Sequence, residues 1–262
     1  MYDPAPAAAA LDEARRTGTE SSLPDAIRPA TVERGVAVQR ERARRAGAIP
    51  PAGFKIGATT KRMQDYLGLD GPAAGYMLAA NLRASGATLS HASLRGPGAE
   101  CEIGLRLARD LPPGPCDHAT ALAAVAEVFA AIEIVENRYG TPPLGDLARI
   151  GTPTLIADQV YHRAAILGTA PADWRRLDLA AIPGRVAIDG VERAAGHGRD
   201  LLGHPIAALA WLAASPTAAA FGGLKAGQVV MLGSVTPPIW LDRPCHISVA
   251  FAGLGEVTAT LA

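Results

Sequence analysis

Cysteine is scarce in this 262-residue chain, which holds only three. Cys101, Cys116 and Cys245 are odd in number and widely spaced, which fits neither a disulfide framework nor a Cys-x-x-Cys metal site. A reducing compartment, the cytoplasm, is therefore the expected location. The six histidines form no His-x-His or His-x-x-x-His pair, so the sequence also disfavours a zinc site.

The chain also has no excess of charge of one sign. The 25 basic and 25 acidic side chains give a formal net charge of zero, so no overall field favours nucleic acid or an anionic membrane as a partner. Apolar runs such as 119–126 and 206–214 are shorter than the roughly 20 residues that cross a bilayer. The N-terminus lacks a basic region before an apolar core, so we expect no signal peptide.

The chain does contain enough apolar sequence for a sizeable core, with 49% hydrophobic and 19% charged residues. Residues 1–50 have helical patterns, which predicts a helical N-terminal segment. Over 51–262, short β-branched runs alternate with glycine and proline, which predicts a strand-rich domain and an α+β fold. The predicted strands are FKIG, GYML, CEIGLRLA, AIEIVEN, GRVAIDG, QVVMLGSV and CHISVAFAG, and the predicted helices within the domain cover 60–67, 118–126 and 205–214. Asp189-Gly190 predicts a tight hairpin.

Three glutamates are candidate ligands of a divalent cation. Residues two apart in a strand project to the same face, so Glu100 and Glu102 would point together, and Glu133 is out of pattern in an apolar strand. Like charges this close need protons, partners or a cation, and oxygen ligands suit Mg²⁺ or Mn²⁺. Glu136 has the opposite parity and is expected to face Arg138 or solvent. The alternative is that the glutamates lie on a solvated edge strand, and spacing alone does not exclude it.

Lys55 lies inside the apolar strand FKIG. Near a bound substrate its ammonium would stabilise negative charge. The alternative is a lysine that snorkels to solvent. Gly233 and Ser234 end another predicted strand, and such small residues suit a close approach of the backbone to a ligand, although an ordinary strand end has the same composition.

Six segments, taken in chain order, carry a resemblance to a known family. They are FKIGATTKRMQDYLGLDGP, GAECEIGLRLARDLP, AIEIVENRYG, IADQVYHRAAILG, LLGHPIAALAWLA and LKAGQVVMLGSVTPP. Any one of them is weak, but their order and gaps resemble the 2-keto-4-pentenoate hydratase and 4-oxalocrotonate decarboxylase branch of the fumarylacetoacetate hydrolase superfamily. The resemblance covers nearly all of the chain from the second helical segment onward.

The resemblance implies a fold, a site and a partner. The strand-rich domain would be a metal-binding catalytic β-roll with flanking helices, in a homo-oligomer built from dimers. Glu100, Glu102 and Glu133 match the three ligands of Mg²⁺ or Mn²⁺ in the family, and Lys55 matches its active-site lysine. The implied substrate is a small 2-oxo acid, which the cation would chelate and activate as a Lewis acid.

Two departures from the family pattern bear on the reaction. Ala73 stands where hydratases that resemble this chain have an acid, and the decarboxylase branch also lacks that acid. Relatives tend to have small residues where this chain has Tyr161 and His162, which suggests a different substrate tail or a substituted acid–base group. Asp158 and His162 are further candidate substrate-binding residues.

The sequence therefore predicts a metal-dependent hydratase that adds water to a small 2-hydroxy-2,4-dienoate or 2-keto-4-enoate acid. One alternative is a decarboxylase of an oxalocrotonate-like 2-oxo diacid, which Ala73 favours. Another is a hydrolase that cleaves a carbon–carbon bond of a diketo acid. An alternative of another class is a non-catalytic homologue that binds metal and acid, or a partner subunit of a related enzyme.

Overall fold

Two helices form the N-terminal part, as predicted for residues 1–50. Helix α1 (Ala5–Thr17) ends at Gly18, which takes the left-handed conformation of a glycine cap. Helix α2 (Val32–Arg45) begins after Thr31, whose hydroxyl accepts a hydrogen bond from an amide of the first turn. The two helices pack against each other through small and aliphatic side chains. The division of the chain at residue 50 stays a prediction.

The rest of the chain alternates strands and short helices. The computed structural model describes residues 2–140 and 147–262. The strands are β1 (Gly53–Gly57), β2 (Ala73–Met77), β3 (Leu82–Ala84), β4 (Ala87–Leu89), β5 (Pro97–Leu107), β6 (Val125–Glu136), β7 (His162–Leu167), β8 (Pro183–Ile188), β9 (Val191–His197), β10 (Val229–Ser234), β11 (Ile239–Trp240), β12 (Cys245–Phe251) and β13 (Gly255–Leu261). The other α-helices are α3 (Lys61–Leu67), α4 (His118–Ala123), α5 (Leu147–Ile150), α6 (Thr152–Ala157), α7 (Pro205–Ala214) and α8 (Pro216–Ala220). None of the described helices combines the length and the apolar composition needed to cross a bilayer.

The strands form two mixed sheets. The larger has the order β2-β1-β10-β5-β6-β7-β3, with β11 beside the start of β5, and the smaller has the order β4-β13-β12-β8-β9. The main core lies between the sheets, where Cys101 and Ile132 of the larger sheet share one apolar cluster with Ile247 and Val257 of the smaller. The opposite face of β5 and β6 is thereby left for the functional site. The predicted α+β architecture is confirmed.

A two-residue turn joins β8 to β9, as the pair Asp189-Gly190 predicts. These residues have φ values of 50° and 78°. Both are positive, as a type I′ turn requires. Ile188 pairs with Val191 across the turn, so the predicted hairpin is confirmed.

The sequence prediction is wrong at one helix end and omits several strands. Helix α4 ends at Ala123, and Val125 and Ala126 begin β6 instead of continuing the predicted helix. Alanine-rich sequence favours a helix, but pairing of Val125 with Leu107 of β5 extends the sheet and overrides that preference. Strands β7 and β13 are missed because HRAAIL is alanine-rich and GEVTATL begins with turn-forming and polar residues.

Candidate metal centre

The register of β5 and β6 brings three glutamates together. Glu100 pairs with Glu133 across these antiparallel strands, two residues from Glu102. Residues directly opposite each other point to the same face, so all three side chains share one face. Cys101, between the first two, points into the main core. One oxygen atom from each glutamate lies within 4.8 Å of the other two. We call Glu100, Glu102 and Glu133 the carboxylate cluster.

The carboxylate cluster has more acidic groups than the nearby cations could neutralise if all of them were ionised. Glu102 and Glu133 are fully buried, and Glu100 is partly exposed. Burial, together with the charge of Glu133, raises the pKa of Glu100 to about 8 and the pKa of Glu102 well above its usual range. Burial acts on Glu133 as well, but Lys55 and His162 outweigh it and lower its pKa to about 2. Without a cation the cluster therefore holds protons at neutral pH, which metal binding would release.

Two buried oxygen atoms of the cluster have no hydrogen-bond partner among the described residues. They are Oε1 of Glu102 and Oε2 of Glu133. Buried polar atoms are seldom left without a partner, so each needs an explanation. Carboxylate oxygens are the ligands that Mg²⁺ and Mn²⁺ prefer. The cluster therefore fits the predicted cation, and the assignment of its three residues as ligands stays a prediction.

Lys55 lies beside the carboxylate cluster. Its Nζ atom is 3.4 Å from Oε2 of Glu133, and its side chain is only 2% exposed, so it does not snorkel to solvent. Burial acts to lower the pKa of Lys55, but the negative charge of the cluster outweighs it and raises that pKa above its usual value. Lys55 is therefore an ammonium in this site. A Cβ atom at Gly57 would lie 3.3 Å from Nζ, so glycine prevents crowding there.

The end of β10 contacts the cluster through its backbone. The amide of Gly233 donates a hydrogen bond to Oε2 of Glu102 over 3.0 Å. Gly233 has a φ of 103°, and a Cβ atom there would lie 2.5 Å from Cγ2 of Thr59, so the position requires glycine. The Ser234 hydroxyl bonds instead to the backbone amide and carbonyl of Cys101, at 3.1 and 3.3 Å. Gly233 and Ser234 thus lie at the site, and their contact with substrate stays a prediction.

His162 reaches the cluster from β7. Its Nδ1 atom is 2.7 Å from Oε1 of Glu133, and its side chain is fully buried. Burial outweighs the neighbouring carboxylate and lowers the pKa of His162, so the imidazole is neutral. The structure therefore brings His162 to a predicted metal ligand, and its contact with substrate stays a prediction.

Asp158 lies in a separate buried cluster. Its Oδ1 atom accepts hydrogen bonds from Arg15 and Arg42 at 3.0 and 2.8 Å, and its Oδ2 atom accepts from two hydroxyl groups at 2.6 and 3.3 Å. Arg138 lies 3.8 Å from Oδ2. Burial acts to raise the pKa of Asp158, but the three arginines hold it well below its usual range. We call these four residues the arginine cluster. Protein groups engage both Asp158 oxygens, so the contacts give no support for a role in substrate binding.

Glu136 lies outside the carboxylate cluster, as predicted, but the prediction that it faces Arg138 or solvent is wrong. It is buried, with Oε1 accepting a hydrogen bond from the amide of Arg95 and Oε2 3.9 Å from Nε of Arg163. Arg138 bonds instead to the hydroxyl of Ser21. The expectation fails because β6 ends at Glu136, and strand parity does not extend to residues beyond the strand.

Three further residues at the site were not anticipated from the sequence. Gly57 could have been predicted from the sequence, because it lies two residues from Lys55 and therefore on the same face of β1. Thr59 packs against Gly233, and no motif of the sequence marks it as part of the site. Arg15 donates a hydrogen bond to the carbonyl of His162 over 2.9 Å, but these residues are 147 positions apart, so no local pattern connects them.

The fold and the site together define a mixed β-roll protein with a cluster of three carboxylates and a buried lysine. The chain belongs to the fumarylacetoacetate (FAA) hydrolase C-terminal family, whose model matches residues 58–262. The family and the β-roll that the six sequence segments predict are therefore confirmed.

Curated relatives cover most of the chain. A 2-keto-4-pentenoate hydratase of Burkholderia vietnamiensis (strain G4 / LMG 22486) is 34% identical over 208 residues, which are 79% of this chain and 77% of that protein. A 2-hydroxyhexa-2,4-dienoate hydratase of Comamonas testosteroni is 32% identical over 217 residues, which are 82% of this chain and 79% of that protein. Both names agree with the predicted class of reaction.

A solved structure matches nearly the whole fold. It is the 4-oxalocrotonate decarboxylase of Pseudomonas putida G7, complexed with magnesium and adipate. The TM-score is 0.88 with 23% sequence identity, and the match covers 99% of this chain and 97% of that chain. At this identity the likeness establishes the fold, including the N-terminal helices.

Proposed function

We propose that the chain is a divalent-metal-dependent hydratase that adds water to a small 2-hydroxy-2,4-dienoate or 2-keto-4-enoate acid. The observation that carries the proposal is the carboxylate cluster, with its oxygen atoms within 4.8 Å of one another and two of them without a hydrogen-bond partner in the described part of the chain. Relatives that are 34% and 32% identical over most of the chain are named hydratases of such acids, which supports the substrate class.

Glu100, Glu102 and Glu133 would hold the cation, for which we propose Mg²⁺ or Mn²⁺. Solved structures of similar fold hold magnesium, calcium or manganese, which supports a hard divalent ion. When bound, the ion supplies Lewis acidity toward the carboxylate and 2-oxo oxygens of the substrate. The Gly233 amide orients Glu102 and thereby fixes one side of the proposed ligand set.

Lys55 supplies the cationic side chain nearest to Glu133 in the described site. Its Nζ atom lies 3.4 Å from Oε2 of Glu133, so an ammonium there is placed to bind an anionic oxygen of the substrate beside the proposed cation. It also carries a proton that it can donate to a substrate carbon or oxygen and recover from water. We propose Lys55 as the catalytic residue, with Gly233, Ser234 and His162 lining the substrate side.

Decarboxylation of an oxalocrotonate-like diacid is the second candidate, and Ala73 is the observation that favours it. Ala73 pairs with Gly57 across β1 and β2, while Gly75 pairs with Lys55, so Ala73 lies on the face that carries the lysine. A methyl group cannot transfer a proton. Hydration would need Lys55 or water for that step, whereas loss of CO₂ needs no acid at this position.

A metal-dependence assay tests the proposal. Metal-stripped protein is mixed with 2-hydroxypenta-2,4-dienoate, and loss of the dienoate absorbance is followed before and after addition of Mg²⁺ or Mn²⁺. We expect loss only with metal and the 4-hydroxy-2-oxo acid as product. Glu102→Gln should abolish this turnover, whereas Glu127→Gln, on the same sheet but exposed and paired with Arg106, should not. No loss with either metal would exclude a hydratase of this acid, and full activity of Glu102→Gln would exclude Glu102 as a required metal ligand. CO₂ release from oxalocrotonate would establish the second candidate.

We also propose a homo-oligomer built from dimers and a location in the cytoplasm. The family resemblance supports the assembly, and light scattering on the purified protein tests it. The free state of Cys101, Cys116 and Cys245 supports a reducing location. Fractionation of cells that express the protein tests the location.

A further inference from the structure

A β-bulge turns His162 toward Glu133. Strand β7 pairs with β6 up to Ala164, and the next pair joins His162 to Val135, so Arg163 is one extra residue between the two pairs. An extra residue reverses the alternation of side chains along a strand. The bulge therefore places His162 on the face that carries Glu133, where a regular strand would place its neighbour.

The turn before His162 is held in an unfavourable conformation. Gln159, Val160 and Tyr161 have φ values of 66°, 51° and 64°. Three successive residues other than glycine therefore have a left-handed backbone conformation, which is unfavourable for them. Hydrogen bonds hold the turn, since the Gln159 side chain donates to a carbonyl of β2 over 2.9 Å and Arg15 donates to the carbonyl of His162 over 2.9 Å. Backbone strain that surrounding contacts maintain is typical of functional sites, so this turn indicates that the placement of His162 has a function.

The imidazole of His162 makes one polar contact that the structure describes, and it is with Glu133. A carboxylate only accepts hydrogen bonds, so Nδ1 carries the proton and donates it to Oε1 over 2.7 Å. The Nε2 atom is buried without a partner among the described residues. Burial of an unpartnered nitrogen is unfavourable, so packing alone does not explain a histidine here.

The bond to His162 leaves the other oxygen of Glu133 for a different partner. Oε2 is 3.4 Å from Nζ of Lys55 and has no hydrogen bond to the described residues. We propose that His162 is a positioning residue, which fixes the Glu133 carboxylate by its Nδ1–H group so that Oε2 faces the cation. This inference rests on the metal centre of the proposed function. Groups that hydrogen-bond a ligating carboxylate orient it and strengthen its hold on the metal.

Two substitutions distinguish the effect of the Nδ1–H hydrogen bond from the effect of the imidazole ring. In His162→Asn the amide nitrogen can occupy the place of Nδ1, whereas in His162→Gln it stands nearer the place of Nε2. We expect H162Q to weaken Mn²⁺ binding to the metal-stripped protein by about 10–100-fold, and H162N to bind nearly as tightly as the unchanged protein. Titration calorimetry with Mn²⁺ alone measures both, so the readout does not depend on turnover.

Near-UV circular dichroism before each titration checks that the variants fold. Should H162Q fail this check, H162L is titrated in its place with the same expected loss. Equal Mn²⁺ affinity of H162Q and the unchanged protein would overturn the inference and leave the metal centre intact. Equal weakening in H162N and H162Q would also overturn it, because the ring and not its Nδ1–H group would then matter. Failure of the unchanged protein to bind Mn²⁺ would overturn the metal centre and this inference together.

Discussion

Two buried ionic clusters contact the residues that flank the left-handed turn at 159–161, and their charges are arranged in opposite ways. Asp158, before the turn, belongs to the arginine cluster, and His162, after it, contacts the carboxylate cluster. The carboxylate cluster has three acids and one nearby cation, Lys55. The arginine cluster has one central acid, Asp158, and three arginines. Burial of charge is unfavourable in both, so each must gain compensation from a partner.

The arginine cluster finds its compensation inside the chain. Both oxygens of Asp158 accept hydrogen bonds, and Asp12 supplies a second carboxylate to Arg42 at 2.7 Å. The carboxylate cluster instead leaves two oxygens without a hydrogen bond to described residues and holds protons at neutral pH. The arginine cluster also has two buried atoms without a described partner, Nε of Arg15 and Nη1 of Arg138, but these are donors and cannot bind a cation. The unpartnered atoms of the carboxylate cluster are acceptor oxygens, which can. The comparison therefore separates a cluster whose acid is satisfied by the fold from one that suits the proposed cation, although both are largely buried.

Removal of the central charge of the arginine cluster should have the largest effect on stability. Asp158→Asn keeps the size of the side chain but leaves three arginines, two of them buried, without their common partner. We expect a loss of roughly 3–5 kcal/mol in the free energy of unfolding, which urea denaturation measures. Asp25→Asn, at an exposed ion pair with Arg28, should leave the unfolding curve unchanged. A curve for Asp158→Asn that overlaps the control would contradict the structural role.

Metal binding should stabilise the carboxylate cluster, and more so at higher pH. At a Mn²⁺ concentration of about 100 times Kd the expected gain is about 2.7 kcal/mol. Burial raises the folded-state pKa of Glu100 from 4.5 to about 8, so its protonated form favours folding at low pH and this contribution is lost as the pH rises toward 8. A cation replaces the missing protons, and at low pH it must first displace them.

Thermal unfolding with and without Mn²⁺ at about pH 5.5 and about pH 8 measures this difference. The increase in melting temperature at one fixed Mn²⁺ concentration should be larger at the higher pH. Addition of EDTA should reverse the increase and serves as the control. An increase that is the same at both values, or larger at the lower one, would contradict the protonated state assigned to the cluster.

Arg15 joins the two clusters, so its loss should affect both to a smaller degree. It donates to Oδ1 of Asp158 and to the backbone carbonyl of His162, while Arg42 keeps its own bond to Asp158. For Arg15→Ala we expect a loss of about 2 kcal/mol in unfolding free energy, together with weaker Mn²⁺ binding. Arg16→Ala, on the exposed side of α1, is the control. Unchanged Mn²⁺ affinity in Arg15→Ala would show that the turn before His162 holds without it.

The sequence predicts the parts of the site that depend on local spacing. Glu100 and Glu102 share a face because strand residues two apart do so, and Lys55 is out of pattern in an apolar strand. The pairing of Glu133 with Glu100 depends on strand register, which no local pattern supplies. Glu133 was a candidate because an acid is out of pattern in an apolar strand, and the resemblance then matched all three glutamates to the ligand positions of the family. The six segments also predicted the β-roll, whereas composition predicted only the α+β class.

What the sequence could not predict depends on long-range contacts and on irregular backbone. A single extra residue in β7 decides that His162 faces Glu133, and spacing rules assume regular strands. Asp158 was grouped with the substrate residues because its partners Arg15, Arg42 and Arg138 are distant in sequence. Burial of a charge is visible only once these elements pack together.

The smallest expected effect gives the sharpest contrast between the clusters. Glu102→Gln is the same carboxyl-to-amide change as Asp158→Asn, but it removes an acid whose ionisation is opposed by burial and by the neighbouring carboxylates. The oxygen of the new amide can still accept the hydrogen bond from Gly233, and its nitrogen can donate to Glu133. In metal-free protein at about pH 8 we therefore expect a gain of about 1 kcal/mol in unfolding free energy, opposite in sign to the loss at Asp158.

Urea unfolding of Glu102→Gln in EDTA, with Glu127→Gln as the exposed control on β6, measures this gain. The variant should also lose the Mn²⁺-dependent rise in melting temperature, because one of the three proposed ligands has lost its charge. A gain in stability without metal, together with a loss of the response to metal, would show that Glu102 destabilises the metal-free protein and is needed to bind the cation. Destabilisation of the metal-free variant would instead show that Glu102 is compensated within the fold, as Asp158 is, and the distinction between the two clusters would fail.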